Sequence, residues 1–179
     1  MSDPTNNAQG TGGTSSPVLR IAGIDPGCYG ALALLIGDRL SNVVDMPVLK
    51  VRRGKSDKAE IDGYALGRLF AAMRPDIVVV EQVGGMTGQS ASASFNFGRA
   101  AGAPEYAAKA LGLRVEFVHP IRWKRALAIN SGKDGSRHAA MRLWPGHADR
   151  FSRVKDDGRA EAALIAEWFR RTNTAGNTP

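Results

Sequence analysis

Acidic residues close two apolar runs of this chain and head a third. Leu19-Arg20-Ile21-Ala22-Gly23-Ile24 closes on Asp25, and Ile77-Val78-Val79-Val80 closes on Glu81. Asp157 and Glu161 open the helical stretch from Asp157 to Ala166. A short, continuously apolar run rich in β-branched residues reads as a strand covered on both faces, so its closing residue lies at a sheet edge. Counting from Glu161, Leu164, Ile165 and Trp168 fall at i+3, i+4 and i+7, one helix face that packs on the sheet. Asp157 lies one turn earlier on the same stripe. Carboxylates gathered at such a place repel one another and resist desolvation unless a cation sits among them. Each acid also has a local reading: Asp157 as a helix cap, Asp25 as a turn residue before Pro26-Gly27, Glu81 as an exposed strand end. Convergence of all of them on one edge favours a site.

The rest of the chain supplies a sheet for that edge. Val18 to Asp25, Ala31 to Ile36 and Leu40 to Met46 are apolar runs separated by breaks short enough for an antiparallel meander. Lys50 to Lys58 is a basic stretch read as a solvated loop. Ile61, Tyr64, Ala65, Leu69, Ala72 and Met73 keep helical spacing up to Pro75. Ser90 to Leu111 reads as helix interrupted around Pro104, and Arg114 to Val118 as a fifth strand. Shorter helices follow around Trp123 to Ile129 and Ser136 to Trp144, before a last helix from Asp157 to about Arg170. Helical connections make the Glu81 and Val115 strands parallel neighbours, which sets Asp25 and Glu81 at the carboxyl edge where sites of α/β sheets lie. The expected organisation is a tail over 1–16, one domain over 17–171 and a second tail over 172–179, both tails read as disordered from their Gly, Ser, Thr and Asn content.

Charge narrows the partner. Lys and Arg number 24 against 17 acids, a formal charge of +7, and such an excess favours a polyanion because phosphates release counterions when neutralised. The single cysteine, Cys28, excludes a disulfide framework and a multi-cysteine zinc site. No apolar run approaches the roughly 20 residues that span a bilayer, and residues 1–16 lack the parts of a secretion signal. The expected location is the cytoplasm, with no membrane partner and no small-molecule substrate. His119, His138 and His147 are scattered and none is assigned to metal. Oxygen ligands without His or Cys suit Mg²⁺, with Mn²⁺ as a substitute. Two ions roughly 3.5–4 Å apart activate water and stabilise the leaving oxygen of a phosphodiester. The reaction this predicts is in-line hydrolysis leaving a 5′ phosphate.

Gly23-Ile24-Asp25-Pro26-Gly27 with Gly30, then Val80-Glu81-Gln82-Val83, then Asp157-Gly158-Arg159-Ala160-Glu161-Ala162 resemble, in order and spacing, the motifs of RuvC-type Holliday-junction resolvases. The likeness is strongest to the phage and prophage branch and runs from Val18 to Arg170. It implies an α/β, RNase H-like fold with a five-stranded mixed sheet and helices on both faces. It also implies a homodimer that resolves four-way and branched DNA by paired, Mg²⁺-dependent nicks. Carried over by motif, Asp25, Glu81, Asp157 and Glu161 are the catalytic metal ligands for two ions. The cellular branch spaces its last two acids three apart, where this chain has Gly158; Asp157 takes the role, with Asp156 as fallback. The loop Gly84 to Gln89 stands where the family inserts a side chain into the junction, so Met86 is the candidate wedge, with glycine backbone contact as the alternative. Phe97, with Phe95 and Asn96 beside it, and Arg99 are candidates for contacting DNA, core packing being the rival role for a Phe. Lys124, Lys133 and Arg137 resemble phosphate-binding positions, Lys133 being the candidate to support the transition state. Arg52 and Arg53 add to this basic surface.

Three other readings compete. Another RNase H-like nuclease, cutting RNA–DNA hybrid or serving recombination, would use the same acids. An actin-like phosphotransferase would need a second phosphate loop, and this chain has none. A non-catalytic junction binder would have no use for all four acids.

Overall fold

The chain lays three apolar runs along one antiparallel meander, then alternates strands with helices, and the structure follows that pattern. It is a computed structural model describing residues 18–85, 88–129, 132 and 134–174. Strands β1 (Arg20–Asp25), β2 (Ala31–Ile36) and β3 (Arg39–Asp45) form the meander. A separate hairpin, β4 (Val48–Arg53) and β5 (Ser56–Ile61), comes next. Then follow α1 (Gly63–Met73), β6 (Ile77–Glu81), α2 (Ala91–Ala110), β7 (Arg114–Val118), α3 (Pro120–Ala126) and α4 (Gly135–Leu143). Two 3₁₀ stretches, Pro145–Phe151 and Val154–Asp156, lead into α5 (Asp157–Thr174).

The main sheet is five-stranded, in the order β3-β2-β1-β6-β7, with β1, β6 and β7 parallel. Helices cover both faces, as side-chain alternation requires. Ile21, Ala33, Leu35, Ile77 and Val79 pack on one side against Trp123, Leu164 and Ile165. Ala22, Ile24, Leu34, Val78 and Val80 pack on the other against Leu66, Phe70 and Met73. This is the mixed α/β architecture expected from the sequence. Among the described residues no helix is long and apolar enough to cross a membrane.

Several local expectations change. The first strand begins at Arg20 rather than Val18, and α5 continues to Thr174, past 171. Lys50 to Lys58 is not a loop but most of a hairpin, closed by a two-residue turn in which Gly54 has φ +62°. Its charges fall on both faces and hide the two-residue period. Helix α2 runs unbroken through Pro104. A proline there forfeits one i→i−4 hydrogen bond, and burial of Pro104 against the core keeps the helix in place.

Helix α5 lies directly on β1, and Gly23 makes this possible. A Cβ at Gly23 would fall 2.0 Å from the Ala162 carbonyl oxygen and 2.7 Å from the Ala166 nitrogen. Ala160, Ala162, Ala163 and Ala166 are fully buried, so small residues on both elements bring the backbones together. Forcing a methyl into this contact pushes α5 off the sheet, at the upper end of the roughly 1–3 kcal/mol range for overpacking or beyond it. Gly23→Ala is therefore expected to cost about 3 kcal/mol or more in urea denaturation. A loss within error of zero would mean that α5 rides further from β1 than described.

Candidate functional site

Parallel pairing of β1 with β6 matches Ile24 to Val80, so the next residues, Asp25 and Glu81, end side by side at the carboxyl edge. The chain turns sharply after Asp25: the Gly30 nitrogen donates to the Gly27 carbonyl at 3.1 Å, with Gly27 at φ +114°. Helix α5 begins beside this turn and adds Asp157 in its first turn and Glu161 one turn later. Carboxylate oxygens of Asp25, Glu81 and Glu161 all lie within 4.8 Å of one another. Asp157 stands next to this trio without completing it, and its Oδ1 is buried with no hydrogen-bond partner. That orphaned oxygen and an all-carboxylate donor set fit a hard divalent cation.

Neighbouring groups orient the acids. The Trp123 indole Nε1 donates to Glu81 Oε1 at 2.8 Å, and the Ser136 hydroxyl donates to Glu161 Oε1 at 3.0 Å. The Lys124 ammonium pairs with Glu161 Oε1 at 2.6 Å and lies 5.0 Å above the Trp123 ring. Burial opposes the Lys124 charge, yet the hydrogen bond to Glu161 and the nearby Glu81 and Asp157 hold its pKa above the usual value. One ammonium does not balance the acids. Burial, then repulsion from Glu161, Glu81 and Asp157, pushes Asp25 from 3.8 up to about 8. Burial also raises Glu81, with Glu161 adding to it against the Trp123 hydrogen bond, and raises Asp157, again with Glu161 contributing.

Gly158 explains the spacing of the last two acids. A Cβ there would lie 2.7 Å from Asp25 Oδ2 and 3.0 Å from the Tyr29 carbonyl. A side chain at i−3 from Glu161 would displace Asp25, and the carboxylate sits at i−4 instead. Asp156, the fallback ligand, has other work. It is 1% exposed, and the Arg153 guanidinium grips it at 2.7 Å with Arg159 at 3.6 Å. The Arg153 hydrogen bonds hold its pKa below the usual range.

The remaining sequence candidates divide. Lys124 stands at the site. Phe97 is half-buried and lines a groove with Glu81, Gly84 and Gly85. Arg99 sits 5.9 Å over the Phe95 ring and 3.5 Å from Glu60, away from the acids. Arg137 departs from expectation: it is buried, paired with Asp134, and donates to the Ser152 carbonyl at 3.0 Å. Carbonyls at the end of a 3₁₀ stretch need donors, and Arg137 supplies one. Met86 and Lys133 lie outside the described residues. Trp123 and Ser136 were not anticipated as ligand-orienting groups. The Trp123-Lys124 pairing was the one available hint, and nothing local marks Ser136.

No protein-family model matches the sequence, and no curated protein matches it. Solved structures do. RuvC from T. thermophilus in complex with a Holliday junction substrate aligns with a TM-score of 0.54 at 20% identity, over 87% of this chain and 98% of that one. A second Thermus thermophilus RuvC structure gives 0.53 at 23% identity, with the same coverage. The yeast mitochondrial Holliday junction resolvase gives 0.50 at 14% identity, over 90% of this chain and 82% of that one. The fold is thus the RNase H-like fold of RuvC.

Two outcomes follow from the crowded acids. Folded Asp25 keeps its proton up to about pH 8, whereas the unfolded chain releases it near the ordinary 3.8. Stability is therefore present at low pH and lost as pH rises towards 8. In EDTA the melting temperature should fall between about pH 6 and pH 8, and Asp25→Asn should flatten that slope. An equal slope in Asp25→Asn would place the titrating group elsewhere. Gly158→Ala should weaken Mg²⁺-induced thermal stabilisation at least about tenfold in metal concentration, roughly the 1.4 kcal/mol of one lost well-placed ligand oxygen. Unchanged metal dependence would show that Asp25 tolerates the methyl.

Proposed function

We propose that this chain is a divalent-metal-dependent endonuclease that resolves four-way and branched DNA, acting as a homodimer. The observation that carries this reading is the meeting of Asp25, Glu81 and Glu161, from β1, β6 and α5, within 4.8 Å. The RuvC-like fold supports it, since one of those neighbours was solved with a Holliday junction. The formal charge of +7 supports a polyanionic substrate.

Asp25, Glu81, Glu161 and Asp157 would hold the metal, two Mg²⁺ ions in our reading, with Mn²⁺ able to replace them. Bound divalent ions supply Lewis acidity and lower the pKa of water beside a phosphodiester. The protein side chains do the rest. Trp123 and Ser136 fix the rotation of Glu81 and Glu161, so the donor set is formed before anything binds. Lys124, half-exposed beside Glu161, meets a non-bridging phosphate oxygen and draws charge off it as the bond to the leaving oxygen lengthens. The groove of Glu81, Gly84, Gly85 and Phe97 continues the site along the strand ends, giving a DNA strand a path with little side-chain obstruction. Met86 and Lys133 remain our choices for the wedge and for a further phosphate contact. A two-fold dimer presents two such sites to the two equivalent strands of a junction. We place its work in the cytoplasm, on recombining or replicating DNA, and favour a phage or prophage origin.

Comparing nicking of junction, flap, duplex and RNA–DNA hybrid tests the reading. Wild type should cut the junction fastest, in paired nicks, and only with Mg²⁺ or Mn²⁺. Asp25→Asn and Glu161→Gln should each lose at least about 10³-fold in rate, of order 4 kcal/mol of barrier, while keeping junction binding. Faster cutting of hybrid than junction would move the chain to another branch of RNase H-like nucleases. Junction binding without any metal-dependent cutting would leave a binding protein.

A further inference from the structure

The β4–β5 hairpin stands apart from the main sheet, and a lone two-stranded hairpin is marginally stable in water. This one is tied down at its base. The Cys28 thiol donates to the Ala59 carbonyl at 3.5 Å, and Glu60 meets Arg99 of α2 at 3.5 Å. Cys28 belongs to the turn that follows Asp25, so the hairpin base is coupled to the acidic centre. Val48 and Ala59 also line a cleft with Asp25, Tyr29, Lys155 and Asp157. Lys50 pairs across the hairpin with Ala59 and extends that cleft-facing side outward.

The charge on this element is not balanced. Arg52 pairs with Asp57 at 3.4 Å, and Arg53 pairs with Glu60. Lys50, Lys55 at the turn and Lys58 are exposed and have no acidic partner among the described residues. A strand of this length spans about 17 Å at roughly 3.3 Å per residue, the axial rise of about ten phosphate charges in duplex DNA.

We propose that the β4–β5 hairpin is a DNA-gripping finger: Lys50 on its cleft-facing side, Lys55 at its tip and Lys58 on its opposite face hold phosphates of the duplex arm that leaves the cleft beside Asp25. The inference rests on the nuclease reading for its substrate, and charge complementarity and continuity with the cleft select DNA as the occupant. Both arginines are held by acids of the hairpin itself, which leaves the three lysines to set its field. No covalent step is involved. The finger orients an arm relative to the acids through its backbone, without reading sequence.

Junction affinity measured in EDTA over a series of salt concentrations tests this directly. For Lys50→Ala, Lys55→Ala and Lys58→Ala combined, the slope of log affinity against log salt should become shallower by about 0.9 per lost contact, close to three in all. The Lys→Arg triple variant should keep the wild-type slope, because it keeps the charge. An unchanged slope in the alanine triple overturns the proposal, as does an equal loss in the arginine triple. Cutting of branched DNA is scored separately on wild type with Mg²⁺, so failure of the nuclease reading and failure of the finger give different results.

Discussion

The close approach of α5 to β1 governs what this molecule can do. Gly23 removes the one Cβ that would hold the two backbones apart, and the buried alanines of α5 complete the contact. Apolar packing of Leu164 and Ile165 against the sheet supplies the driving force. Asp157 and Glu161 are carried to the strand ends as passengers of that packing. Burial of Asp25, with repulsion from Glu161, Glu81 and Asp157 added to it, is a cost set against the core, and it appears as the high pKa of Asp25. Among the described residues Lys124 is the one cation paired with these acids, so the cluster suits a further positive charge.

Two adjacent acids show how local compensation divides structure from chemistry. Asp156 and Asp157 are neighbours in the chain with opposite electrostatic fates. Asp156 is enclosed by Arg153 and Arg159, and Arg159 also binds Asp45 at 2.5 and 2.6 Å, so this set fastens the α5 start to β3. Asp157 faces the other acids with a bare buried oxygen. Arginines pair directly with Asp45 and Asp156 on one side of the helix start, whereas on the other Asp157 feels Lys124 and Arg137 only through their charge. Gly158 separates the two regions and leaves room for the Asp25 carboxylate.

Legibility in the sequence tracked how local each cause was. Strands β1 and β6 and the buried face of α5 could be read because continuous apolar runs and the i, i+3, i+4 pattern are local records of burial. Their closing acids marked the site edge for the same reason. The hairpin was missed because lysines and arginines on both of its faces erased the alternation that marks a strand. The burial of Arg137 was not legible because residue type predicts exposure, whereas the carbonyls of Phe151 and Ser152 take a buried donor. Trp123 and Ser136 reach their carboxylates across 42 and 25 residues of chain. No local pattern encodes such distant pairs, although the family resemblance had already marked the neighbouring Lys124.

The sign of the electrostatic field changes with distance from the site, and that ordering bears on how the protein would work. Away from the centre the net charge of +7 favours a polyanion, an attraction that salt screens beyond about a Debye length, roughly 10 Å at 0.1 M. Close to the centre, the carboxylates outnumber the Lys124 ammonium, and a phosphate is repelled. Divalent charge reverses the near field while leaving the far field almost unchanged. On the nuclease reading, metal and phosphate would bind cooperatively at the acids, each relieving the charge the other brings, whereas peripheral lysines would hold DNA with or without metal. Capture would then belong to the basic surface and commitment to the acidic centre. On that reading, the same crowded carboxylates that strain the metal-free fold would keep a phosphate from settling until divalent charge is present.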